Sequence, residues 1–506
     1  MTGTECTRQL ELFEVGRQMV TVDWEAGQVV TDAGLLPLRQ LDLSLGVLAE
    51  AARRLPDPRS QEFVTHTAEQ ILTQQVYQIL GGYPDGNDAQ WLRNDPLFKT
   101  LIGVPLAQTE RPLASGSTVN RFLHAYTRRE AEKPPAERDV LLEQRAAQCA
   151  RIRGLNEFLV DVFVRTRREQ PAHVIIDLDP TDDPTHGQQQ LTFWHGYYEQ
   201  HQYFPLLVFE GETGLPLAAW LRPGKVGAAA GAVDVLREVV TRLRMHWPEL
   251  AIFVRGDHGV ASPDMYEYCE SEGLFYAFGY AANDVLKRAT AELAWKADVL
   301  WWLYREPRQE FLRLEDYRAG SWSRPRSIIA KVETTATGGL NRRFVVTNLC
   351  GDPRGIYHGY YVRRGNVPER PIGELKNGLA MDRLSSHRFL ANAQKLMTHV
   401  LAYLVWALFR EANAHTPGLR CAEVGTARSR LFKVGAVVQA THRRIWFHLP
   451  AAWPGRGWFR AACAGAARFV EQLHARWRAA GLFVASAAWQ DRRDRHRIVF
   501  APLPLK

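Results

Sequence analysis

The stretch HVIIDLDPTDDPTHG, residues 173–187, carries four aspartates within seven residues, directly after a short apolar run. The β-branched residues of that run are typical of a buried strand. Because residues two apart on a strand point to the same face, Asp177 and Asp179 are expected side by side near the carboxyl end of the strand. The pattern favours a site built from acidic side chains over a solvated turn.

Length and composition restrict the class of protein. A chain of 506 residues is expected to form roughly two to four domains, and 46% hydrophobic with 23% charged residues is typical of a globular protein. No apolar run reaches the roughly 18 residues that a membrane helix needs, and the N-terminus lacks the apolar core of a signal peptide, so we expect a cytoplasmic protein. The six cysteines show no Cys-x-x-Cys spacing, which argues against a structural zinc and a disulfide framework.

The charge distribution favours a phosphate-rich partner. The formal net charge is +8, and a basic protein gains affinity for polyanions through counterion release. Basic residues recur along the whole chain, in RTRRE, LNRRF, YVRRGN, THRR and DRRDRHR. That distribution is typical of a protein that contacts a long polymeric ligand at many points.

The order of segments after the acidic stretch indicates the fold. YFPLLVFEG and LPLAAWLRPG flank ETG, which is a hairpin signal. Apolar residues between Ala232 and Trp247 then share one helical face, and LAIFVRGDHG is a second buried strand that ends at Asp257. Strand, hairpin, helix and strand in this order predict an RNase H-like α/β core, a mixed sheet flanked by helices.

Three chemistries compete for the acidic stretch. A calcium loop is excluded because its sixth and twelfth positions hold Asp182 and Gln188 instead of Gly and Glu. A haloacid-dehalogenase-like phosphatase would use Asp177 as nucleophile and Asp179 as general acid, but that fold needs strand–helix crossovers where this chain has a hairpin. A two-metal phosphodiester site would instead combine Asp179 and Asp257 with an acid from a later helix, because Mg²⁺ prefers carboxylate oxygens.

The segment YVRRGNVPERPIGELK resembles the motif around the catalytic glutamate of DDE-superfamily insertion-sequence transposases. In that motif Tyr, two residues, Arg, three residues, Glu, six residues and Lys follow one another. Tyr361, Arg364, Glu369 and Lys376 occupy these positions, with four residues instead of three between Arg364 and Glu369.

Other blocks resemble insertion sequence family 1380. They are TDAGLLPLRQLD, DPLFK, DLDPTDDPTHGQQ, FVRGDHG, FVVTNL and DRLSSHRFLANAQKLMTHVLAYLVWALFR. Together with the glutamate motif they extend the resemblance from about residue 30 to about residue 450. The combination of blocks is specific, whereas no single block would be.

The resemblance implies a catalytic triad of Asp179, Asp257 and Glu369. These residues would hold two Mg²⁺ ions, for which Mn²⁺ can substitute, and Asp177 and Glu374 are the alternates for the first and third acids. The resemblance also implies contacts to DNA near the scissile phosphate. The predicted DNA-contacting residues are Tyr361, Arg364, Lys376, Trp301, Trp302 and Trp322.

The predicted organisation has five segments. They are an all-helical N-terminal DNA-binding region (1–135), the first part of the core (136–282), an inserted β-rich subdomain (283–339), the remainder of the core with the glutamate helix (340–426) and a C-terminal region (427–506). In the first segment, SGSTVNRF predicts a capped helix that presents Asn120 and Arg121 outward, as a DNA-recognition helix would.

The resulting expectation is a DNA transposase of a bacterial insertion sequence. Such a protein binds terminal inverted repeats, cleaves at the element ends and transfers the 3′-hydroxyl strand to target DNA, with a homodimer in the synaptic complex. The alternatives are a catalytically inactive DNA-binding relative and the haloacid-dehalogenase-like phosphatase.

Overall fold

The structure is a computed structural model. It describes residues 9–23, 25–55, 57, 59–106, 111–124, 137–167, 169–366 and 369–479, with the backbone alone at residues 9, 137–151, 365–366 and 369.

The N-terminal region begins with strands, so the prediction of an all-helical region is wrong at its start. The alternation in QLELFEV and QMVTVD has the two-residue period of a β-hairpin. A third, two-residue strand pairs with a strand from the far end of the chain. The elements of this region are β1 (Gln9–Val15), β2 (Gln18–Asp23), β3 (Val29–Val30), α1 (Leu36–Leu45), α2 (Val47–Arg54), α3 (Ala68–Gly81), α4 (Asp88–Leu92), α5 (Pro96–Ile102), α6 (Gly116–His124) and α7 (Glu137–Thr166).

The core is built on one large mixed sheet. Its elements are β4 (His173–Pro180), β5 (Asp183–Pro184), β6 (Phe193–His195), β7 (Gln200–Tyr203), β8 (Leu206–Glu210), β9 (Pro216–Trp220), α8 (Ala232–His246), β10 (Ala251–Gly256), α9 (Pro263–Ser271), β11 (Phe275–Tyr280), α10 (Asp284–Ala289), α11 (Ala291–Tyr304), β12 (Gln309–Tyr317), β13 (Arg326–Thr334) and β14 (Leu340–Thr347). Eight strands run in the order β12-β13-β14-β11-β10-β4-β8-β9. β4, β10 and β11 are parallel to one another, and the other pairs are antiparallel. The predicted order of strand, hairpin, helix and strand is therefore present in β4, β8–β9, α8 and β10, and β4 lies between β8 and β10 in the sheet.

The segment between the second aspartate and the glutamate motif does not form a separate β-rich subdomain. It supplies two helices, α10 and α11, and then two strands that extend the main sheet beyond β14. The side chains of Ile328 and Ala330 on β13 are fully buried in the main hydrophobic core, so these strands complete the same core. Their pairing partners lie elsewhere in the sequence, which is why local pattern alone suggested an insertion.

The last part of the chain packs back onto the N-terminal region. Its elements are α12 (Pro353–Gly355), π-helical turns at Ile356–Tyr361, Glu374–Gly378 and Arg428–Phe432, α13 (Glu369–Gly373), α14 (Phe389–Ala412), α15 (Val424–Ala427), β15 (Ala436–Ala440), β16 (Ile445–His448) and α16 (Arg456–Ala479). α14 is buried over most of its length and contacts α3, α7 and β9, while α16 lies against α1. Within the described residues, no helix is long and apolar enough to cross a membrane.

A buried ion cluster joins the N-terminal region to the core. Asp161 on α7 accepts two hydrogen bonds of 2.7 Å from Arg242 on α8 and one of 2.9 Å from Arg54 on α2. His246 Nε2 lies 3.0 Å from the same carboxylate. Burial alone would raise the pKa of Asp161, but the hydrogen bonds with His246 and Arg242 outweigh it and hold that pKa well below its usual range.

Candidate active site

The carboxyl ends of β4 and β10 meet at one edge of the main sheet. The strands are parallel neighbours with Arg255 opposite Asp177, so the same register, continued by two residues, brings Asp257 beside Asp179. Both aspartates line one open cleft with a volume of about 360 Å³. The lining residues are Asp179, Pro180, Thr181, Asp257, Arg364, Ile372 and Gly373.

The Asp257 carboxylate is oriented by the turn that follows β10. Its Oδ1 accepts hydrogen bonds from the backbone N–H groups of Gly259 at 2.9 Å and Val260 at 3.2 Å. The turn is closely packed, because a Cβ added at Gly259 would lie 2.8 Å from the Cβ of Ala228. Asp257 therefore meets the cleft from a rigid support.

Arg364 lies across the cleft from Asp179. One guanidinium nitrogen is 3.7 Å from Asp179 Oδ2, and the two side chains are 17% and 15% exposed. Arg364 belongs to a short 3₁₀ helix, Val362–Asn366, that follows the π-helical turn. A planar cation of this kind can bind phosphate oxygens in bidentate fashion.

Tyr361 supports the wall of the site behind Asp257. A Cβ added at Gly279 on β11 would lie 2.6 Å from the Tyr361 hydroxyl oxygen, so the close approach requires glycine there. Burial raises the pKa of Tyr361 and the negative charge of Asp257 raises it further, while the charge of Arg364 acts in the opposite direction. The hydroxyl therefore stays protonated and can donate a hydrogen bond at neutral pH.

Asp177 does not line the cleft. Its carboxylate is fully buried and accepts hydrogen bonds of 2.6 and 2.7 Å from the Arg255 guanidinium. Burial raises the pKa of Asp177, although its hydrogen bonds with Arg255 oppose the rise. Arg255 also donates to the carbonyl oxygen of Tyr360 at 2.8 Å, which joins β4 and β10 to the turn before Tyr361. This closed arrangement corrects both the use of Asp177 as an alternate first acid and its role as a phosphatase nucleophile, because both carboxylate oxygens are already engaged.

The helix predicted to carry the third acid forms one wall of the cleft. α13 begins at Glu369, whose side chain lies outside the described part of the structure, and its residues Ile372 and Gly373 face the cleft. The predicted role of Glu369 therefore stays a prediction.

Glu374 is buried away from the cleft, which corrects its use as the alternate third acid. Its carboxylate accepts hydrogen bonds from Trp406 Nε1 at 2.7 Å and Val424 N at 3.1 Å, and from the guanidinium groups of Arg410 and Arg370. With four donors around a side chain that is 2% exposed, little coordinating capacity remains. Glu374 instead anchors the end of the glutamate helix to α14 and α15.

Lys376 is held by an ion pair at the side of the cleft. Its ammonium lies 2.6 Å from Asp182 Oδ1. Burial alone would raise the pKa of Asp182, but the hydrogen bond from Lys376 outweighs it and lowers that pKa. A DNA phosphate would have to compete with Asp182 for this cation.

The three predicted tryptophans have different surroundings. Trp302 on α11 is 64% exposed, and the Arg305 guanidinium lies 4.4 Å from its ring and 4.6 Å from that of Trp301. Trp322 is 3% exposed and packs edge-on against Tyr266, with two further tyrosines around it. A base cannot stack on a ring buried in this way, so the prediction of DNA contact is wrong for Trp322.

Asn120 and Arg121 lie on α6 with exposed side chains, as their positions in SGSTVNRF predict. The helix predicted from SGSTVNRF is present at Gly116–His124, and residues 125–136 lie outside the described residues. These two side chains are far from the cleft in sequence and do not line it.

The sequence reasoning missed Arg255, the buried partner of Asp177. The signal was present in FVRGDHG, because a residue two positions before Asp257 on a strand shares its face. Its partner could not be chosen without the register between β4 and β10.

The cleft offers hard oxygen ligands to a metal ion. Asp179 and Asp257 supply two carboxylates, the donor type that Mg²⁺ prefers. Among the side chains that the structure describes, no group of three His, Cys, Asp or Glu residues is arranged to hold a metal ion, and the third predicted ligand is Glu369. The donor set present therefore fits a divalent ion in part and would be completed by one more acid from α13.

Comparisons with known proteins identify the family of the chain. The family profile described as transposase DDE domain group 1 matches residues 13–470. No curated protein sequence matches the chain. Among solved structures, the chain is similar to a piggyBac transposase in a synaptic complex with hairpin DNA, at 9% identity and a TM-score of 0.40, over 92% of this chain and 85% of that one. Because the family match spans most of the sequence, the chain belongs to the DDE transposases.

Proposed function

We propose that this DDE transposase is encoded by a bacterial insertion sequence, cleaves DNA at the ends of that element and joins the freed 3′-hydroxyl strand to target DNA. The observation that carries the proposal is the convergence of Asp179 and Asp257 at one open cleft. The strand order β9-β8-β4-β10-β11 supports the interpretation that the core has an RNase H-like fold. Both reactions are displacements at phosphorus, so a single cleft can serve both.

Asp179, Asp257 and Glu369 are the proposed ligands of two Mg²⁺ ions. Bound there, the ions would activate the attacking oxygen and stabilise the leaving oxygen. The chain's own groups would orient the DNA. Asp257 is held by two backbone N–H groups, and Arg364, whose guanidinium lies 3.7 Å from Asp179, would bind a phosphate oxygen there.

The proposed DNA contacts extend beyond the cleft. Asn120 and Arg121 on the exposed face of α6 would read the terminal inverted repeats, and the exposed ring of Trp302 is suited to stack on a base. We further propose that two chains pair in the synaptic complex and that the protein acts in the cytoplasm, at the nucleoid. The net charge of +8 supports a polyanionic partner.

Strand cleavage of a labelled duplex that carries the element's end tests the proposal. Wild type with Mg²⁺ or Mn²⁺ should nick at the element end, and Asp179→Asn, Asp257→Asn and Glu369→Gln should each reduce the rate by at least about a hundredfold. Asp264→Asn is the matched control, because Asp264 is exposed in the first turn of α9 and does not line the cleft.

The outcomes separate the proposal from its alternatives. Binding of the inverted repeat without any nicking would identify a catalytically inactive DNA-binding relative. If Glu369→Gln cleaves like wild type while the two aspartate variants do not, the third acid lies elsewhere in the chain. Full cleavage by Asp179→Asn or Asp257→Asn would overturn the assignment of the cleft.

A further inference from the structure

A buried arginine, Arg222, follows β9 by two residues. It is 8% exposed, and its backbone carbonyl oxygen accepts a hydrogen bond of 3.0 Å from the N–H of Phe204. The guanidinium carbon lies 5.1 Å from the centre of the Phe204 ring, where a cation is attracted to the aromatic face. Both the backbone and the side chain of Arg222 are therefore fixed beside the core sheet.

Within the described residues, backbone carbonyl groups accept the hydrogen bonds of this cation, and no carboxylate does. Nε donates to the carbonyl oxygen of Phe204 at 2.8 Å, and Nη1 donates to those of Ala228 at 2.8 Å and Ala230 at 2.9 Å. Burial lowers the pKa of Arg222 to about 10, so the side chain stays charged at neutral pH. A buried cation without an opposite charge costs stability, and such local costs are typical of functional sites.

The turn that accepts two of these hydrogen bonds is GAAAG, residues 227–231, between β9 and α8. The N–H of Ala230 donates to the carbonyl oxygen of Gly227 at 3.0 Å, which closes the turn on itself. Its residues are small, and all of them are exposed or partly exposed, so their own side chains bury little apolar surface. Arg222 therefore ties the carbonyl groups of a weakly packed turn to the core.

The same turn contacts the segment that carries Asp257. A Cβ added at Gly259 would lie 2.8 Å from the Cβ of Ala228 and 3.2 Å from Asp257 Oδ1. The methyl group of Ala228 therefore packs closely against Gly259, whose backbone N–H donates to Asp257 at 2.9 Å. Contacts run in sequence from Arg222 through Ala228 and Gly259 to the Asp257 carboxylate.

We propose that Arg222 is a positioning residue, which fixes the direction of the Asp257 carboxylate by holding the turn 227–231 against Gly259. Arg222 is not among the residues that line the cleft, so it acts through this turn. The inference rests on the proposed role of Asp257 as a metal ligand, and it adds a residue that keeps this ligand in place.

Hydrogen exchange of the full 506-residue chain, measured by mass spectrometry without metal or DNA, tests the positioning. Arg222→Met removes the donors, and Ala228→Gly removes the methyl contact while Arg222 stays in place. In each variant the amides of Gly259 and Val260, which donate to Asp257, should exchange at least about tenfold faster. Exchange in β4 should change less than about twofold, because the effect is local.

Two further variants serve as controls for the exchange experiment. Ala229→Gly adds the same backbone freedom to the same turn, but Ala229 lines a separate cavity beside α8 and α9. This variant should change the exchange of Gly259 and Val260 less than about twofold. Arg222→Lys keeps the charge and fewer donors, so its exchange should lie between wild type and Arg222→Met.

The metal requirement of cleavage tests whether the positioning serves the ligand. The Mn²⁺ concentration for half-maximal cleavage should rise at least about tenfold in Arg222→Met and Ala228→Gly. Binding of the inverted repeat without metal should stay within about twofold of wild type, because neither side chain lies on a proposed DNA contact.

The outcomes distinguish this inference from the proposed function. Unchanged exchange at Gly259 and Val260 in both variants would overturn the positioning role, and so would equally faster exchange in β4. Faster exchange with an unchanged Mn²⁺ requirement would overturn the link to a metal ligand. Full cleavage by Asp257→Asn would instead refute the proposed function, while the exchange result would still report on the contacts of Arg222.

Discussion

Replacing Asp177 should lower the stability of the fold, whereas replacing Asp179 should lower the rate of DNA cleavage. Asp177→Asn leaves the Arg255 guanidinium as an uncompensated charge, in surroundings where the two side chains are 0% and 1% exposed. Removing one partner of a buried ion pair costs about 3–5 kcal/mol. In a protein of this size, each kcal/mol of lost stability lowers Tm by roughly 2 °C, so Tm should fall by about 6–10 °C. Asp179→Asn keeps the size of the side chain and weakens its 3.7 Å contact with Arg364 at the cleft edge, so its cost should stay below about 1 kcal/mol.

The assay combines thermal unfolding with end cleavage on the same preparations. Asp177→Asn should lose thermal stability and, below its new Tm, keep measurable cleavage. Asp179→Asn should keep its Tm within about 2 °C and lose cleavage. A double replacement, Asp177→Leu with Arg255→Met, leaves no unpaired charge and should regain at least half of the lost stability.

The opposite pattern would refute this reasoning. If Asp177→Asn kept the wild-type Tm and abolished cleavage, Asp177 would take part in the reaction and the closed ion pair with Arg255 would have been misread as structural. A double replacement less stable than the single one would show that the hydrogen bond from Arg255 to the Tyr360 carbonyl oxygen dominates instead.

Three further predictions follow from residues outside the cleft. Asp161→Asn should lower the unfolding free energy by about 2–3 kcal/mol at pH 7. Because the pKa of Asp161 is lowered in the folded state, the difference in unfolding free energy between variant and wild type should shrink as pH falls below about 4. Urea titrations measure this difference, and a difference that stays constant with pH would contradict the prediction. Glu374→Gln should lower Tm by several degrees without changing the metal concentration that cleavage requires, whereas a shifted metal requirement would make Glu374 a ligand. Trp302→Ala should weaken DNA binding about tenfold in gel shift without changing Tm. Trp322→Ala should instead lower the unfolding free energy by about 3–5 kcal/mol. Equal effects of the two variants on DNA binding would refute the assignment of Trp302 to DNA contact and of Trp322 to the core.

The sequence predicted the centre of the sheet because short-range pattern decides it. The continuous apolar runs that form β4 and β10, and the glycine turn between β8 and β9, need no information from distant residues. The positions of Asp179 and Asp257 follow directly, since both come immediately after a buried run that ends at the same sheet edge.

The misjudged segments depend on distant partners. The aromatic run WWLY lies in the segment predicted to be a β-rich insertion, but it ends the helix α11. A short apolar run has no period that distinguishes a helix from a strand. β12 and β13 join the main sheet only through β14. Similarly, the choice between Asp177 and Asp179 required the register that sets Arg255 opposite Asp177, and nothing local encodes it.

The buried contacts of Glu374 affect which changes in length the motif around Glu369 can accept. The extra residue of this sequence falls between Arg364 and Glu369, upstream of α13, whereas the buried contacts of Glu374 lie downstream. The spacing from Glu369 to that anchor is untouched by the insertion. Lengthening upstream of the helix should therefore change its placement little, while a single deletion between Glu369 and Glu374 would rotate Glu369, the proposed third acid, by about 100° around the helix axis.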